Sequence, residues 1–378
     1  TAAEAVTRHR EHYLARVNAD RDDWQAIEAV YPQIQHAWQQ TPEDESCFAF
    51  ADAVGTFQDR RGFLPEETGW ISRCLAISQS LGLASKSARF FNDLGWVYDA
   101  LGEKEKALGY YSEALPLIRQ VGDRSGEAVT LNNIGLVYDD LGEKEKALGY
   151  YAEALPLSRQ VGDRSGEATT LTNIGAVYRS LGEMEKALGY YEEALPLSRQ
   201  VGDRSGEATT LTNIGAVYRS LGEMEKALGY YAEALPLRRQ VGDRGGEATT
   251  LNNIGGVYSA LGEKEKALGY YEEALPLFRQ VGDRSGEAAT LNNIGGVYSD
   301  LGEKEKARQT FEEALVLRIQ VGDRFGEIVT RWWIATLHQQ AGNRSAAIAE
   351  LEKALAIALE VRSPKAAAIE RMLEGLRS

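Results

Sequence analysis

VGDRSGEAVTLNNIGLVYDDLGEKEKALGYYAEALPLSRQ, residues 121–160, is one unit of a repeat whose copies make up most of the chain. VGDRSGEA begins at Val121, Val161, Val201 and Val281, and VGDRGGEA at Val241, a spacing of 40 residues each time. The units starting at Val161 and Val201 differ only at Glu192/Ala232 and Ser198/Arg238. Self-similarity at such a period marks a solenoid, in which each unit buries its apolar face against its neighbours. Within the unit, Leu131, Ile134, Tyr138 and Leu141 recur at spacings of three and four, the pattern of an amphipathic helix. Gly122 suits the end of the preceding helix, where φ is positive. Asp123 or Ser125 can cap the next helix, and Gly142 ends it. A second helix follows, with Ala147, Tyr151 and Ala154 on one face. No alternating strand pattern occurs.

The register extends outward with decay. Leu81 to Gln120 keeps LGEKEKALGYY, and Val321 to Glu360 keeps VGDR with Ala347 and Ala354. Gly55 and Gly62 stand two periods before Gly135 and Gly142. The expected fold is all-α, with about eight helix-turn-helix repeats between Thr41 and Glu360. A helical pair precedes them and a capping helix, about Pro364 to Arg377, follows. The expected boundaries are 1–42 for the N-terminal pair, 43–362 for the array and 363–378 for the cap.

A net charge of −14 argues against a nucleic-acid partner, which would need a basic stripe. Cys47 and Cys74 are too few for a disulfide framework, so a reducing, cytoplasmic setting is expected. No apolar run reaches the ~18 residues of a membrane span, and no signal-peptide pattern is present.

Asn133-Ile134-Gly135, Tyr138, Gly142, Ala147, Tyr151 and Ala154 resemble the tetratricopeptide repeat (TPR) consensus, residue by residue. Gly135 and Ala147 let two helices approach, and the tyrosines fill the space beside them. The period is 40 and the usual proline after the second helix is missing, so the chain is similar to the longer-repeat variety of kinesin light chain and bacterial regulators. The resemblance implies a right-handed superhelical solenoid that binds a protein or an extended peptide on a concave groove lined by first helices. Pro116, Pro156, Pro196, Pro236 and Pro276 fall inside second helices, where a proline costs ~3 kcal/mol. A repeated kink that shapes the superhelix is the reading adopted, with a direct ligand role as its alternative.

Among the units from Val121 to Gln280, five variable columns lie in the first helix. They are Val129/Thr169/Thr209/Thr249, Asn132/Thr172/Thr212/Asn252, Leu136/Ala176/Ala216/Gly256, Asp139/Arg179/Arg219/Ser259 and Asp140/Ser180/Ser220/Ala260. At ~100° per residue they share an arc of about 100°, away from Leu131, Ile134 and Tyr138. Diversification of a binding face would produce this, as would drift on a solvated one. Exposed second-helix positions such as Glu143, Glu145 and Lys146 hardly vary, which favours the former. A ladder of Asn133, Asn173, Asn213, Asn253 and Asn293 borders the arc and breaks at Asp93 and Trp333. An amide both donates and accepts, so the ladder can hold a peptide main chain. Family members use asparagine here for that purpose; hydrogen bonding between helices is the alternative. Asp99, Asp139 and Asp140, then Arg179 and Arg219, then Asp300 grade the charge. Carboxylates on the partner would meet the arginines, unless Asp139 or Asp140 pairs with Arg179 instead.

No G-x-x-x-x-G-K-[ST] occurs, and GDRSGE reads as a helix–helix turn. His9, His12, His36 and His338 are scattered and bring no metal set. No catalytic residue, cofactor or metal is expected. Arg8 to Gln40, with its apolar stripe Trp24, Ile27, Tyr31, Ile34 and Trp38, does not repeat. With Phe57-Gln58-Asp59-Arg60-Arg61-Gly62 and Trp70 to Leu75 it resembles the junction before the TPR sensor of bacterial STAND-type signalling ATPases. That resemblance, and a start at Thr1, lead to the expectation of an ATPase upstream. A free-standing adaptor and a scaffold self-associating end to end are the alternatives. Trp332, Trp333 and Phe325 are read as packing of the C-terminal cap, with an aromatic contact site as the alternative.

Overall fold

In a computed structural model the described residues are 2–19 and 23–377, without the side chains of residues 2, 3, 59 and 60. Asp59 and Arg60 of the expected junction therefore lie outside the described side chains. Two compact units divide at Leu181/Gly182.

The first unit holds α1 (Ala2–Ala19), α2 (Trp24–Ala29), α3 (Tyr31–Gln39), α4 (Ser46–Arg61), α5 (Leu64–Ser80), α6 (Ala84–Ala100), α7 (Lys104–Val121), α8 (Arg124–Asp140), α9 (Lys144–Val161) and α10 (Arg164–Ser180). The expected N-terminal pair is three helices, because the second breaks at Val30 (φ −118°, ψ 9°). Pro32 follows in the first turn of α3; it has no N–H for the Glu28 carbonyl, and its ring would clash there. Ile27, Tyr31, Ile34 and Trp38 are buried, and Trp38 stacks on Trp70 with centroids 4.3 Å apart. Trp24 departs from the stripe: it is exposed, with the Arg61 guanidinium 5.4 Å from its ring centroid.

The second unit holds α11 (Met184–Val201), α12 (Arg204–Ser220), α13 (Met224–Val241), α14 (Arg244–Ala260), α15 (Lys264–Val281), α16 (Arg284–Asp300), α17 (Lys304–Val321), α18 (Arg324–Gln340), α19 (Arg344–Glu360) and α20 (Ala366–Arg377). In chain order α4 to α19 give the eight helix pairs expected. In α20, Ile369, Leu373 and Leu376 are buried in one cluster with Leu351 and Ala354 of α19, which closes the end of the array. Trp332 packs partly buried against that cluster, Trp333 stacks on Phe311, and Phe325 stays exposed.

The VGDR turn builds the junctions between successive helix pairs from α7–α8 to α17–α18. Gly122 takes φ +74°, which an L side chain resists. The Asp123 carboxylate accepts the Gly126 N–H at 2.8 Å, so Asp123 and not Ser125 is the cap, stabilising the helix by about 1 kcal/mol. Glu127, 4% exposed, accepts from Arg119 at 2.6 Å and Arg124 at 2.8 Å, fastening α7 to α8. Burial alone would raise its carboxyl, yet the two guanidinium bonds outweigh that and hold it below the ordinary carboxylate range. The same balance holds at Glu167, Glu247 and Glu287.

Between the helices of a pair, a fully buried tyrosine lies over a glycine. A Cβ on Gly135 would stand 2.5 Å from Tyr151 Cε1, and one on Gly215 2.7 Å from Tyr231 Cε1. The second helices run on through Pro116, Pro156, Pro196, Pro236 and Pro276 without a break.

Candidate binding face of the first helices

Within the second unit α12, α14, α16 and α18 touch in succession, more closely than the second helices touch one another. An array spaced this way bends toward its first helices. The same holds for α6, α8 and α10 in the first unit. The variable columns are accessible on this side, with Val129 and Leu136 exposed. Asn132 is the exception at 9% exposure, and Asn173 of α10 reaches it.

The ladder asparagines divide into two kinds. Asn133 hydrogen-bonds the Tyr111 hydroxyl. Asn173 Nδ2 donates to Asn132 Oδ1 at 3.1 Å, and Asn293 Nδ2 to Asn252 Oδ1 at 3.2 Å. These three do what the helix–helix alternative anticipated. Asn213 and Asn253, both half-buried, make no side-chain hydrogen bond among the described residues.

The charged positions divide in the same way. Asp139 pairs with Lys144 of its own unit at 2.5 Å, and Asp140 with Lys104 of the preceding one at 2.5 Å. Asp99 also pairs with Lys104, and Asp300 with Lys264. The alternative pairing of Asp139 or Asp140 with Arg179 gives way to these lysines, which start the second helices close to both carboxylates. Arg179 and Arg219 have no ion-pair partner among the described residues, and the Nε of Arg179 is enclosed without a hydrogen bond. Five residues on, Met184 and Met224 replace the lysine that pairs with Asp139, so in the two units that carry arginine no lysine stands beside it to repel it. Sequence reading passed over this paired change, although aligning the units displays it.

Arg219 lies across to α14. Its Nη1 is 2.8 Å from the point where a Cβ would stand on Gly256, and the Tyr271 hydroxyl is 3.7 Å from that point. Burial pushes the Tyr271 phenol up to about 12, with Arg219 opposing. Gly256 thus leaves the room that the guanidinium uses. Thr212 turns back to its own helix, its hydroxyl donating to the Ala208 carbonyl at 2.8 Å. Thr172 holds the equivalent place on α10 in the first unit, half-buried.

A second feature sits at α4–α6, where a cavity of about 210 Å³ is lined by Asp52, Glu67, Trp70, Arg89, Asp93 and Trp96 among others. Glu67 and Ile71 stand one period before Ala107 and Tyr111, so a carboxylate replaces a methyl and an isobutyl-sized chain replaces a ring. Arg89 bridges Asp52 and Asp93 at 2.5 and 3.5 Å. Burial lifts the Asp93 carboxyl to about 6 against the pull of Arg89.

Paired helices, glycine–tyrosine contacts and a variable first-helix face define an α-helical repeat scaffold. The tetratricopeptide repeat family model matches residues 105–160, 126–200, 166–240, 206–280, 246–320 and 286–360, and a second model of the same description matches 88–120. The chain belongs to the tetratricopeptide repeat family. No curated protein sequence matches it.

Several solved structures share the fold. A signal transduction ATPase with numerous domains (STAND) bearing a tetratricopeptide repeat sensor, from Pyrococcus horikoshii, is 18% identical with a TM-score of 0.66. That alignment covers 98% of this chain and 55% of the STAND protein, so this chain spans about half of its length. The apo quorum sensor NprR from B. thuringiensis is 16% identical with a TM-score of 0.64, covering 100% of both chains. A Rap protein complexed with competence and sporulation factor is 17% identical with a TM-score of 0.59, covering 99% of this chain and 98% of that one.

Proposed function

We propose that this chain binds an extended, acidic segment of a partner protein on its first-helix face. The observation that carries this reading is the set of unspent groups: among the described residues the Asn213 and Asn253 amides have no side-chain hydrogen bond and the Arg219 guanidinium has no ion-pair partner. A primary amide can bond both a carbonyl and an N–H of a peptide, and a guanidinium can take a carboxylate in two bonds. Arg179 offers the same group in the first unit. Asn133, Asn173, Asn293, Asp139 and Asp140 are engaged within the molecule and serve the scaffold. The Rap protein of similar fold, crystallised with competence and sporulation factor, supports a ligand-binding use of the architecture.

The test is a peptide array probed with the whole chain. Peptides carrying Asp or Glu are expected to be captured, and Arg179→Glu with Arg219→Glu is expected to abolish capture while far-UV circular dichroism stays unchanged. Capture that survives both charge reversals removes these arginines from the site.

The wider setting we propose is the sensing part of a bacterial STAND-type regulator in the cytoplasm. The alignment of 98% of this chain with part of the P. horikoshii STAND protein supports it, as does the resemblance of residues 8–75 to the junction of such proteins. A free-standing adaptor is the second reading, favoured by the end-to-end match with NprR. The full reading frame separates them: a Walker lysine motif upstream of Thr1 supports the sensor, and a start codon adjoining Thr1 overturns it.

A further inference from the structure

We infer that Thr212 determines which ladder asparagine is free to hold a ligand, and so sets the register of the peptide on the second unit. The inference rests on the peptide-binding reading above. Asn133 is tied to the preceding unit through the Tyr111 hydroxyl, and for the other two tied asparagines the acceptor is an asparagine of one column: Asn132 for Asn173, and Asn252 for Asn293. On α12 that column holds Thr212. A threonine hydroxyl is short and bonds locally, to the carbonyl four residues back. Thr212 does so with Ala208, and it meets the Thr250 hydroxyl at 3.5 Å. It extends no amide oxygen toward α14, and Asn253 keeps its donors and its acceptor.

The exchange does not come alone. The two units with threonine in this column, at Thr172 and Thr212, carry Arg179 and Arg219 seven residues later and Met184 and Met224 after those. Three columns change together: asparagine to threonine, aspartate to arginine, lysine to methionine. The first change leaves a main-chain-binding amide unoccupied on the next helix, the second puts a guanidinium where a carboxylate stood, and the third removes the lysine that would repel it. Together they make one recognition element, with Asn253 for the peptide main chain and Arg219 for a carboxylate side chain of the same segment.

The experiment uses the full chain labelled with ¹⁵N-asparagine. Thr212→Asn is expected to recreate the Asn132–Asn173 bond at Asn253, shifting its side-chain amide resonances and slowing their exchange with water. Asn252→Thr is expected to do the reverse at Asn293. A blocked peptide of alternating alanine and glutamate is then titrated. Thr212→Asn should weaken it about three- to tenfold, the worth of one hydrogen bond, while Asn252→Thr should not weaken it. If the Asn253 amide is unmoved by Thr212→Asn, position 212 does not control it and the inference falls whatever the titration gives. If the amide locks and affinity holds, the register assignment falls. If the parent chain ignores the peptide while the amides respond as stated, it is the peptide-binding reading that fails.

Discussion

Alanine in place of glycine should destabilise this protein at Gly135 and stabilise it at Gly149, fourteen residues away in the same unit. Both glycines lie inside helices, α8 and α9, where alanine is favoured by ~1 kcal/mol. They differ in what a methyl would meet. On Gly135 it would stand 2.5, 2.8 and 2.9 Å from Cε1, Cδ1 and Cζ of Tyr151, and on Gly149 it has no neighbour within 4 Å. The Tyr151 ring is 0% exposed and cannot swing into solvent, so the helices must part. Overpacking of this kind costs about 1–3 kcal/mol. Set against the propensity gain, Gly135→Ala should lose up to about 2 kcal/mol and Gly149→Ala should gain about 0.5–1 kcal/mol. Urea unfolding of the full chain followed by circular dichroism measures both, and the comparison matters more than either value because a repeat array need not unfold in one step. Making Gly135→Ala in a Tyr151→Leu background should recover part of the loss, since the two sites are coupled. Equal midpoint shifts for the two alanines would refute the close-approach argument.

Two more outcomes follow from the charges. The Glu127, Glu167, Glu247 and Glu287 carboxyls titrate below their ordinary value of 4.5, so their stabilisation is complete above that pH and is lost as the pH falls through the depressed folded value. Melting temperature against pH should show an acid limb that Glu247→Gln with Glu287→Gln flattens; an unchanged limb would place the acid sensitivity elsewhere. Met224→Lys alone should set two cations side by side and destabilise slightly. Combined with Arg219→Asp it should recreate the Asp139–Lys144 pair, giving a favourable coupling of ~0.5–1 kcal/mol in a urea double-mutant cycle. No coupling would mean the paired change at these columns is not electrostatic.

The fold was legible because its determinants are local and recur. Gly122 and Asp123 state a helix end and a helix start in adjacent letters, and the apolar spacing of Leu131, Ile134 and Tyr138 states the face between them. The break at Val30 was less visible, since it depends on one carbonyl that Pro32 leaves without its donor. The site was legible as a set of columns but not as a division within them. Five asparagines in register look alike in sequence, yet Asn173 and Asn293 are spent on the preceding unit and Asn253 is not. That difference resides forty-one residues upstream, in whether the facing column holds an amide or a hydroxyl. Asp139 and Arg179 likewise read as opposite charges available to each other, whereas Lys144, five residues after Asp139, already answers that carboxylate. Candidate ligand-facing residues are therefore found here by subtracting the hydrogen bonds and ion pairs that the repeats make among themselves, and what is left over, Asn213, Asn253, Arg179 and Arg219, falls in the units where those internal partners have been exchanged or, for Asn253, in the unit that follows them.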